Sequence, residues 1–490
     1  MIGITSYGAY IPLHRLDRAE FFRAWGGILG MSVPGEKAVA SFDEDSITMA
    51  VEAAIDCMQD MDYKALDGLF FASTTHPYKE KQSSAIISAV LDLGRETRIA
   101  DFGGSLRAGT IAMASAMDAV KAGASNNIMV AVADTRLGAP AGFMEQGFGD
   151  GAAAVLLGNK GVIANIVDRY SIYDEFSGVW RADTDTFVRS WEDRMVLDKG
   201  YSAILPEAIL GVMNKCGLKA SDFAKLVCDT PIDIRAHTRL ARKLGFDGSQ
   251  LQDAMYLTVG NTGTAQALMM LVAALEEAKP GDKILFASYG NGADAFVLGV
   301  TREIEKMRAR RGIKAHLASK RMLTNYERYL RWRGLVSLEA SQRAELGPTS
   351  ISALLRARKL TLPLYGVKCK KCGTPQYRSP MMSGGRGLSS ICIICQAKDE
   401  FEDYKFSDKK GLIFNFSHDY LLASPDPPTT QLIIDFEGGG RGMFDMTDRE
   451  PDKVEVGMPV EMTFRKLFFD RGIHNYYWKA RSVRVIEESK

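Results

Sequence analysis

Ala100-Asp-Phe-Gly-Gly-Ser-Leu-Arg-Ala-Gly-Thr-Ile-Ala-Met113 reads as the end of a strand, a glycine elbow, and a helix of small and apolar residues running through Val120. Such an elbow exposes one side chain and several free backbone N–H groups at a helix N-terminus. That is where an enzyme places a nucleophile or stabilises negative charge. Here the elbow presents Ser105 and Leu106. Ser105 is either a helix N-cap or an acyl-carrying nucleophile, and the second role needs a base within hydrogen-bond reach.

Outward from the elbow, residues 1–300 carry one pattern written twice. In the first half a helix from Ser46 to Met61 has Ile47, Val51, Ala54, Ile55 and Met58 on one face, and Asp43, Glu44 and Asp45 suit its N-terminus. A strand from Gly68 to Ser73 follows and ends in a loop with Thr74, His76, Pro77 and Tyr78. The second half repeats this with a helix from Ser202 to Cys216, a strand from Lys225 to Cys228, and a loop with Asp229, Thr230 and Pro231. The elbow is echoed by Gly260-Asn-Thr-Gly-Thr-Ala-Gln-Ala and a helix to Ala278; strand 127–133 is echoed by 283–288, and 149–157 by 292–298. Strands alternating with helices predict mainly parallel sheets covered by helices. Two such halves facing each other give a duplicated five-layered α/β/α/β/α domain with its site between them.

A chain of 490 residues exceeds one core, so further units are expected. A formal net charge of +1 names no partner. No stretch reaches the roughly 18–20 apolar residues of a membrane span. The N-terminus reads as a first strand and not a signal peptide. Cys57, Cys216 and Cys228 stand alone in apolar segments and read as buried thiols, giving the expectation of a reducing, cytoplasmic setting.

In residues 303–362 Lys and Arg far outnumber Asp and Glu. Tyr326-Glu-Arg-Tyr-Leu-Arg-Trp-Arg-Gly334 alternates aromatic and basic residues. It reads as a helical linker covering a neighbouring domain, with nucleic-acid binding the weaker alternative. Cys369-Lys-Lys-Cys372 and Cys392-Ile-Ile-Cys395 are two C-x-x-C knuckles about twenty residues apart, the pattern of a four-cysteine zinc ribbon. Four protein thiolates leave no open coordination position, so the zinc is read as structural. Residues 405–490 hold short strands between Pro- and Gly-rich turns and predict a small OB-type β-barrel.

The order of motifs in the first 300 residues resembles the thiolase superfamily, and within it the hydroxymethylglutaryl-CoA synthase branch. The motifs are Gly8-Ala-Tyr-Ile-Pro12, Thr75-His-Pro-Tyr78, Ala108-Gly-Thr110, Gly149-Asp-Gly-Ala-Ala-Ala154, Gly260-Asn-Thr262 and Ser288-Tyr-Gly-Asn-Gly-Ala-Asp-Ala-Phe296. Residues 303–490 are similar to the zinc-ribbon/OB-fold domain that accompanies thiolase-like enzymes, here fused to them. The resemblance implies halves at 1–165 and 166–302, followed by a linker (303–362), a ribbon (363–404) and a barrel (405–490). It implies a CoA thioester as substrate, and a homodimer or an assembly with a thiolase or hydratase subunit. It also implies a Cys nucleophile, a Glu acid/base and a His. Those positions hold Leu106, Thr74 and Asp229.

Leucine forms no thioester. The chemistry expected to remain is aldol or retro-aldol cleavage of a β-hydroxyacyl-CoA, which needs a thioester enolate but no acyl-enzyme. Two alternatives stand beside it. One is a Claisen-type acyltransferase working with a partner chain or through Ser105, and the other is a non-catalytic scaffold. Candidate acid/bases are Asp229, Tyr289, His76 and Tyr78, with Asn261 orienting a carbonyl or a water. Arg235, Arg239, Arg242 and Lys243 are candidates for the CoA phosphates, and His237 among them reads as a surface or phosphate-contacting residue. Phe143, Met144 and Phe148 either line an acyl pocket or fill the core.

Overall fold

A computed structural model of the chain describes residues 1–26, 33–59, 61–231, 233–307, 310–339, 348–377 and 391–484. Parts of the expected linker and ribbon, and the end of the barrel segment, lie outside these residues. The first-half sheet runs, in space, Gly3–Tyr10, Gly151–Gly158, Asn127–Asp134, Gly68–Ala72, Arg98–Phe102. The second-half sheet runs Ala164–Tyr173, Gly292–Val300, Lys283–Tyr289, Lys225–Cys228. Gly3 and Ile4 pair with Asn165 and Ala164, which joins the two into nine continuous strands.

The duplication is visible in the register. In each half a parallel pair (Gly68–Ala72 on Asn127–Asp134, Lys225–Cys228 on Lys283–Tyr289) is followed by an antiparallel neighbour. The expectation of mainly parallel sheets is therefore corrected to mixed sheets. Parallel pairing needs a crossover of a dozen residues or so. Gly290 and Asn291 alone join Lys283–Tyr289 to Gly292–Val300, so that pair is a hairpin.

Helix Ser46–Cys57 covers the outer face of the first sheet, and Ser202–Cys216 covers that of the second. Between the sheets lie the elbow helix, Ala108–Lys121, and its echo, Gln266–Leu275. Every residue of Gln266–Leu275 is buried, which is why it is apolar on all sides. These are the five layers of a thiolase-like fold. Helix Ser46–Cys57 stops a turn before the expected Met61. Asp45 caps it, its side chain accepting from Thr48 N at 3.0 Å while its own backbone N–H donates to the Thr48 hydroxyl at 2.8 Å. Asp43 and Glu44 turn elsewhere, as described next.

Strands Lys410–Asp419, Thr429–Phe436, Arg441–Met446, Ile473–Ser482 and Pro459–Asp470 close, in that order, into a five-stranded barrel. It docks on the N-terminal end of helix Ser46–Cys57 through buried charges. Arg465 pairs with Glu44 and, at 2.8 Å, with Asp448. Lys479 meets Asp43 at 2.9 Å, and Arg481 meets Glu52 at 2.6 Å. Tyr476 donates its hydroxyl to Asp45 at 2.7 Å. Tyr78, expected as a candidate acid/base, accepts a bond from the His474 N–H of the barrel at 2.9 Å and belongs to this interface.

In the linker, helix Tyr326–Trp332 buries Tyr326, Tyr329 and Trp332 against Leu16, Phe21 and Val39. Its aromatic rings are core, not a platform for bases. Arg328 pairs with Asp426 of the barrel segment. Strands Pro375–Gln376, Tyr365–Cys369 and Phe401–Lys405 form a small sheet that carries the first cysteine knuckle. Among the described residues, no helix is long and apolar enough to cross a membrane.

Candidate active site

Parallel strands present ligands at their carboxyl ends, and the candidate residues gather there. Thr74 follows Gly68–Ala72, the elbow follows Arg98–Phe102, Asp134 ends Asn127–Asp134, Asp229 follows Lys225–Cys228, and Tyr289 ends Lys283–Tyr289.

The elbow is locked to the opposite half. Ser105 Oγ donates to the Gly290 carbonyl at 2.7 Å, and Arg107 Nη1 meets Asp294 at 2.9 Å. Thr110 Oγ1 donates to the other Asp294 oxygen at 2.7 Å. The helix begins at Ala108 with Arg107 at its cap position, so Ser105 is not the N-cap that the sequence suggests. Its hydroxyl faces a carbonyl and not a base. A Cβ on Gly290 would stand 3.0 Å from Leu106 N and 2.9 Å from Ser105 Oγ, so only glycine lets the turn approach the elbow this closely.

Asp229 Oδ2 accepts from Ser288 Oγ at 2.6 Å and from the Tyr289 N–H at 2.7 Å. Its Oδ1 is buried and, among the described residues, has no hydrogen-bond partner. Burial pushes this carboxyl up to about 7, against the pull of those two hydrogen bonds and of Arg136. Asn261 is held at both ends. Its Nδ2 donates to the Thr230 carbonyl at 2.9 Å, and its Oδ1 accepts from Arg136 Nη2 at 2.5 Å and from Gly263 N at 3.0 Å. The Thr74 hydroxyl donates to Asp134 Oδ2 at 2.8 Å and cannot titrate in place of a carboxylic acid.

The other expected residues divide. Burial pushes the Tyr289 hydroxyl up to about 12, so it is no base near neutral pH. Both ring nitrogens of His76 are engaged, Nδ1 with Ser83 Oγ at 3.2 Å and Nε2 with the Phe102 carbonyl at 3.1 Å. His237 is buried, not superficial, and burial lowers it to about 4. Arg235 and Arg239 flank Asp233 at 3.0 and 3.6 Å on an exposed face that also carries Arg242 and Lys243. Phe143 is exposed, Met144 half-buried, and Phe148 buried beneath the Arg136 guanidinium, 4.1 Å from its ring centre. Cys216 is half-buried, unlike Cys57 and Cys228. Sequence reasoning missed Arg136 and Asp134. Their one signal is two charges just past the wholly apolar run Ile128–Ala133.

Away from this site, the sulfurs of Cys369, Cys372, Cys392 and Cys395 lie within 4.8 Å of one another. The Cys369–Cys395 and Cys372–Cys392 separations are 3.6 Å. Four thiolates at about 2.3 Å from a tetrahedral metal stand about 3.8 Å apart, so donor set and spacing fit such an ion.

Comparison with known proteins adds a relationship to this geometry. Residues 213–299 match the family model described as 3-oxoacyl-[acyl-carrier-protein] synthase III C terminal. The hydroxymethylglutaryl-CoA synthase of Methanosarcina barkeri is 33% identical over 346 residues, covering 68% of this chain and 99% of that protein. The chain belongs to the hydroxymethylglutaryl-CoA synthase family. Solved synthases of this family share the fold at lower identity. The curacin-pathway HMG synthase in complex with apo donor-ACP superposes with a TM-score of 0.60 at 20% identity, over 68% of this chain and 88% of that one. An HMG-CoA synthase complexed with CoA gives 0.58 at 17% identity, over 67% and 89%. The elbow of this chain carries Leu106, and Asp229 offers a carboxyl whose Oδ2 is hydrogen-bonded and whose Oδ1 is buried.

Proposed function

We propose that this chain binds an acyl-CoA thioester between its two halves. There it makes or breaks a carbon–carbon bond beside the thioester as a Claisen-type acyltransferase, taking the acyl group from a cysteine of a partner chain. The observation that carries this reading is the pairing of Leu106, which forms no thioester, with Asp229, whose free oxygen and pKa near 7 suit an acid/base. None of the relatives named above is an aldolase, so the aldol reading expected from the sequence gives way to acyl transfer. Asp229 would take a proton from the carbon next to the thioester carbonyl, and Asn261 would orient that carbonyl. Electrostatic support for the enolate oxygen would come from the elbow N–H groups.

A second reading rests on the same free carboxylate oxygen. Asp229 would accept the proton of a β-hydroxyl, and the C–C bond would break without any acyl-enzyme. Incubating the purified chain alone with β-hydroxyacyl-CoA and β-ketoacyl-CoA esters, with products followed by mass spectrometry, separates the two. Cleavage of a β-hydroxyacyl-CoA without added CoA supports the second. Turnover that appears only with a cysteine-bearing thiolase-type partner supports the first. Silence with bound CoA leaves a scaffold. Leu106→Cys tests the placement of the elbow: acetyl-CoA should then leave one acetyl group on the introduced thiol, seen in the intact mass. If that thiol stays unmodified beside bound acetyl-CoA, the elbow does not face the thioester.

The four cysteines would hold a structural zinc. The purified protein should contain one zinc per chain, and Cys372→Ser should lower that content. Strong chelation should open the segment around the knuckles to proteases, because binding and folding of small zinc sites are coupled. Metal-free protein with unchanged protease resistance would rule out this role.

A further inference from the structure

The two oxygens of Asp229 have unlike surroundings. Oδ2 receives the Ser288 hydroxyl at 2.6 Å and the Tyr289 N–H at 2.7 Å, while Oδ1 is buried with no hydrogen-bond partner among the described residues. Ser288 is 2% exposed, and its cross-strand neighbour Asp294 already receives Arg107 at 2.9 Å on one oxygen and Thr110 at 2.7 Å on the other. The Tyr201 hydroxyl donates to the Asp229 carbonyl at 2.8 Å, which fixes the backbone beneath the carboxyl. The turn that follows Ser288 and Tyr289 is bound to the elbow, where Ser105 Oγ donates to the Gly290 carbonyl at 2.7 Å. One short hairpin therefore ties Asp229 to the elbow.

A main-chain N–H is a donor only and cannot turn away. A proton carried on Oδ2 would confront the Tyr289 N–H. In neutral Asp229 the proton therefore sits on Oδ1, and Oδ2 is the carbonyl oxygen. We infer that Ser288 is a positioning residue for Asp229: its hydroxyl reserves Oδ2 as an acceptor and leaves Oδ1 as the oxygen that gives and takes the proton. This rests on the acid/base reading of Asp229 above and adds the group that orients and tunes it. Burial raises the Asp229 carboxyl, and the Ser288 hydroxyl is the first of the groups that oppose the rise, ahead of the Tyr289 N–H and Arg136; Asp294 pushes the same way as burial. Tyr201 and Cys228 also face Asp229, and burial holds both above their ordinary values, so they stay neutral near pH 7. A hydrogen bond to a carboxylate is stronger than the same bond to a neutral carbonyl, so loss of the hydroxyl weakens the ionised form more than the neutral one.

Ser288→Ala removes the hydroxyl and little volume. Infrared difference spectra of the full chain, each taken against the same protein carrying Asp229→Asn, isolate this carboxyl and read its titration without any substrate. The midpoint in Ser288→Ala should lie roughly one pH unit above that of the parent protein. In the neutral form the parent carbonyl stretch should have the low frequency of a doubly hydrogen-bonded carbonyl, and Ser288→Ala should raise it. Ser288→Cys, a weaker donor, should fall between the two and gives the same comparison should the alanine variant not fold. An unmoved midpoint, or a parent stretch at the high frequency of an unbonded carbonyl, overturns the inference. The rise of turnover with pH should follow the infrared midpoint from one protein to the next. A midpoint that moves while turnover stays put upholds the inference about Ser288 and removes the acid/base role from Asp229.

Discussion

At pH 8, Asp229→Asn should melt a few degrees above the parent protein while its turnover falls by roughly 10²–10⁴-fold, the usual contribution of a general acid/base. The two effects share a cause. The Asp229 carboxyl is raised from 3.8 to about 7 because burial disfavours its charge. A raised acid stabilises the fold in its neutral form. That stability is complete below about pH 4 and is lost as pH rises through 7. Each pKa unit corresponds to about 1.4 kcal/mol. The shift therefore sets an upper limit of about 4 kcal/mol on the gain. Asparagine suits the site. Its carbonyl accepts from Ser288 and Tyr289 as Oδ2 does, and its amide occupies the position of the partnerless Oδ1. The measurement is thermal unfolding of both proteins at pH 8 and pH 4, where the curves should converge. A variant no more stable at pH 8, or one whose advantage persists at pH 4, would sink the account of Asp229. Turnover of the parent protein should in turn rise through pH 7 as the base ionises.

Arg465→Met should cost about 3–5 kcal/mol, the price of leaving a buried partner charge alone. Arg465 is buried between Glu44 of the first half and Asp448 of the barrel. Burial opposes ionisation of Asp448, but Arg465, Arg484 and their neighbours hold it well below the usual carboxylate range. Removing the guanidinium leaves Glu44 without its cation and Asp448 with Arg484 alone, at 2.8 Å. Denaturant unfolding read by a barrel probe, Trp478, should shift strongly, and limited proteolysis should release the barrel. Adding Glu44→Gln and Asp448→Asn should recover most of the loss, since the cost is an uncompensated charge and not a missing attraction. A loss under about 1 kcal/mol for Arg465→Met would mean that water reaches this interface.

How much of this is legible in the sequence depends on the range of the forces involved. Helix Ser202–Cys216 and strand Lys225–Cys228 stand where their apolar periodicity puts them. The barrel strands likewise follow local alternation and turn chemistry. Periodicity makes helix Ser46–Cys57 too long, because Met58 and Met61 continue its apolar stripe after the backbone has turned. It also misses the mixed sheet, because strand direction follows from connection length, which hydrophobic pattern does not reveal. Among site residues, Asp229 and Asn261 meet through Thr230 and Arg136. Tyr78 and His237 go astray because their surroundings come from distant segments, the barrel in one case and the packed second half in the other. Arg136 has no spacing rule to betray it.

The fusion of the barrel to the rest of the chain bears on what its charged dock is for. A covalent tether already gives an effective concentration in the millimolar range, so holding the barrel nearby needs little surface affinity. Buried ion pairs add little net adhesion, yet they penalise any shift that parts them. The dock therefore works as a keyway. Asp43, Glu44 and Glu52 each accept one cation of the barrel, and a slip of one residue would strand all three. Tyr78, four residues past Thr74, is held in the same seat by His474. The barrel thus indexes the loop that borders the candidate site, fixing its pitch from behind.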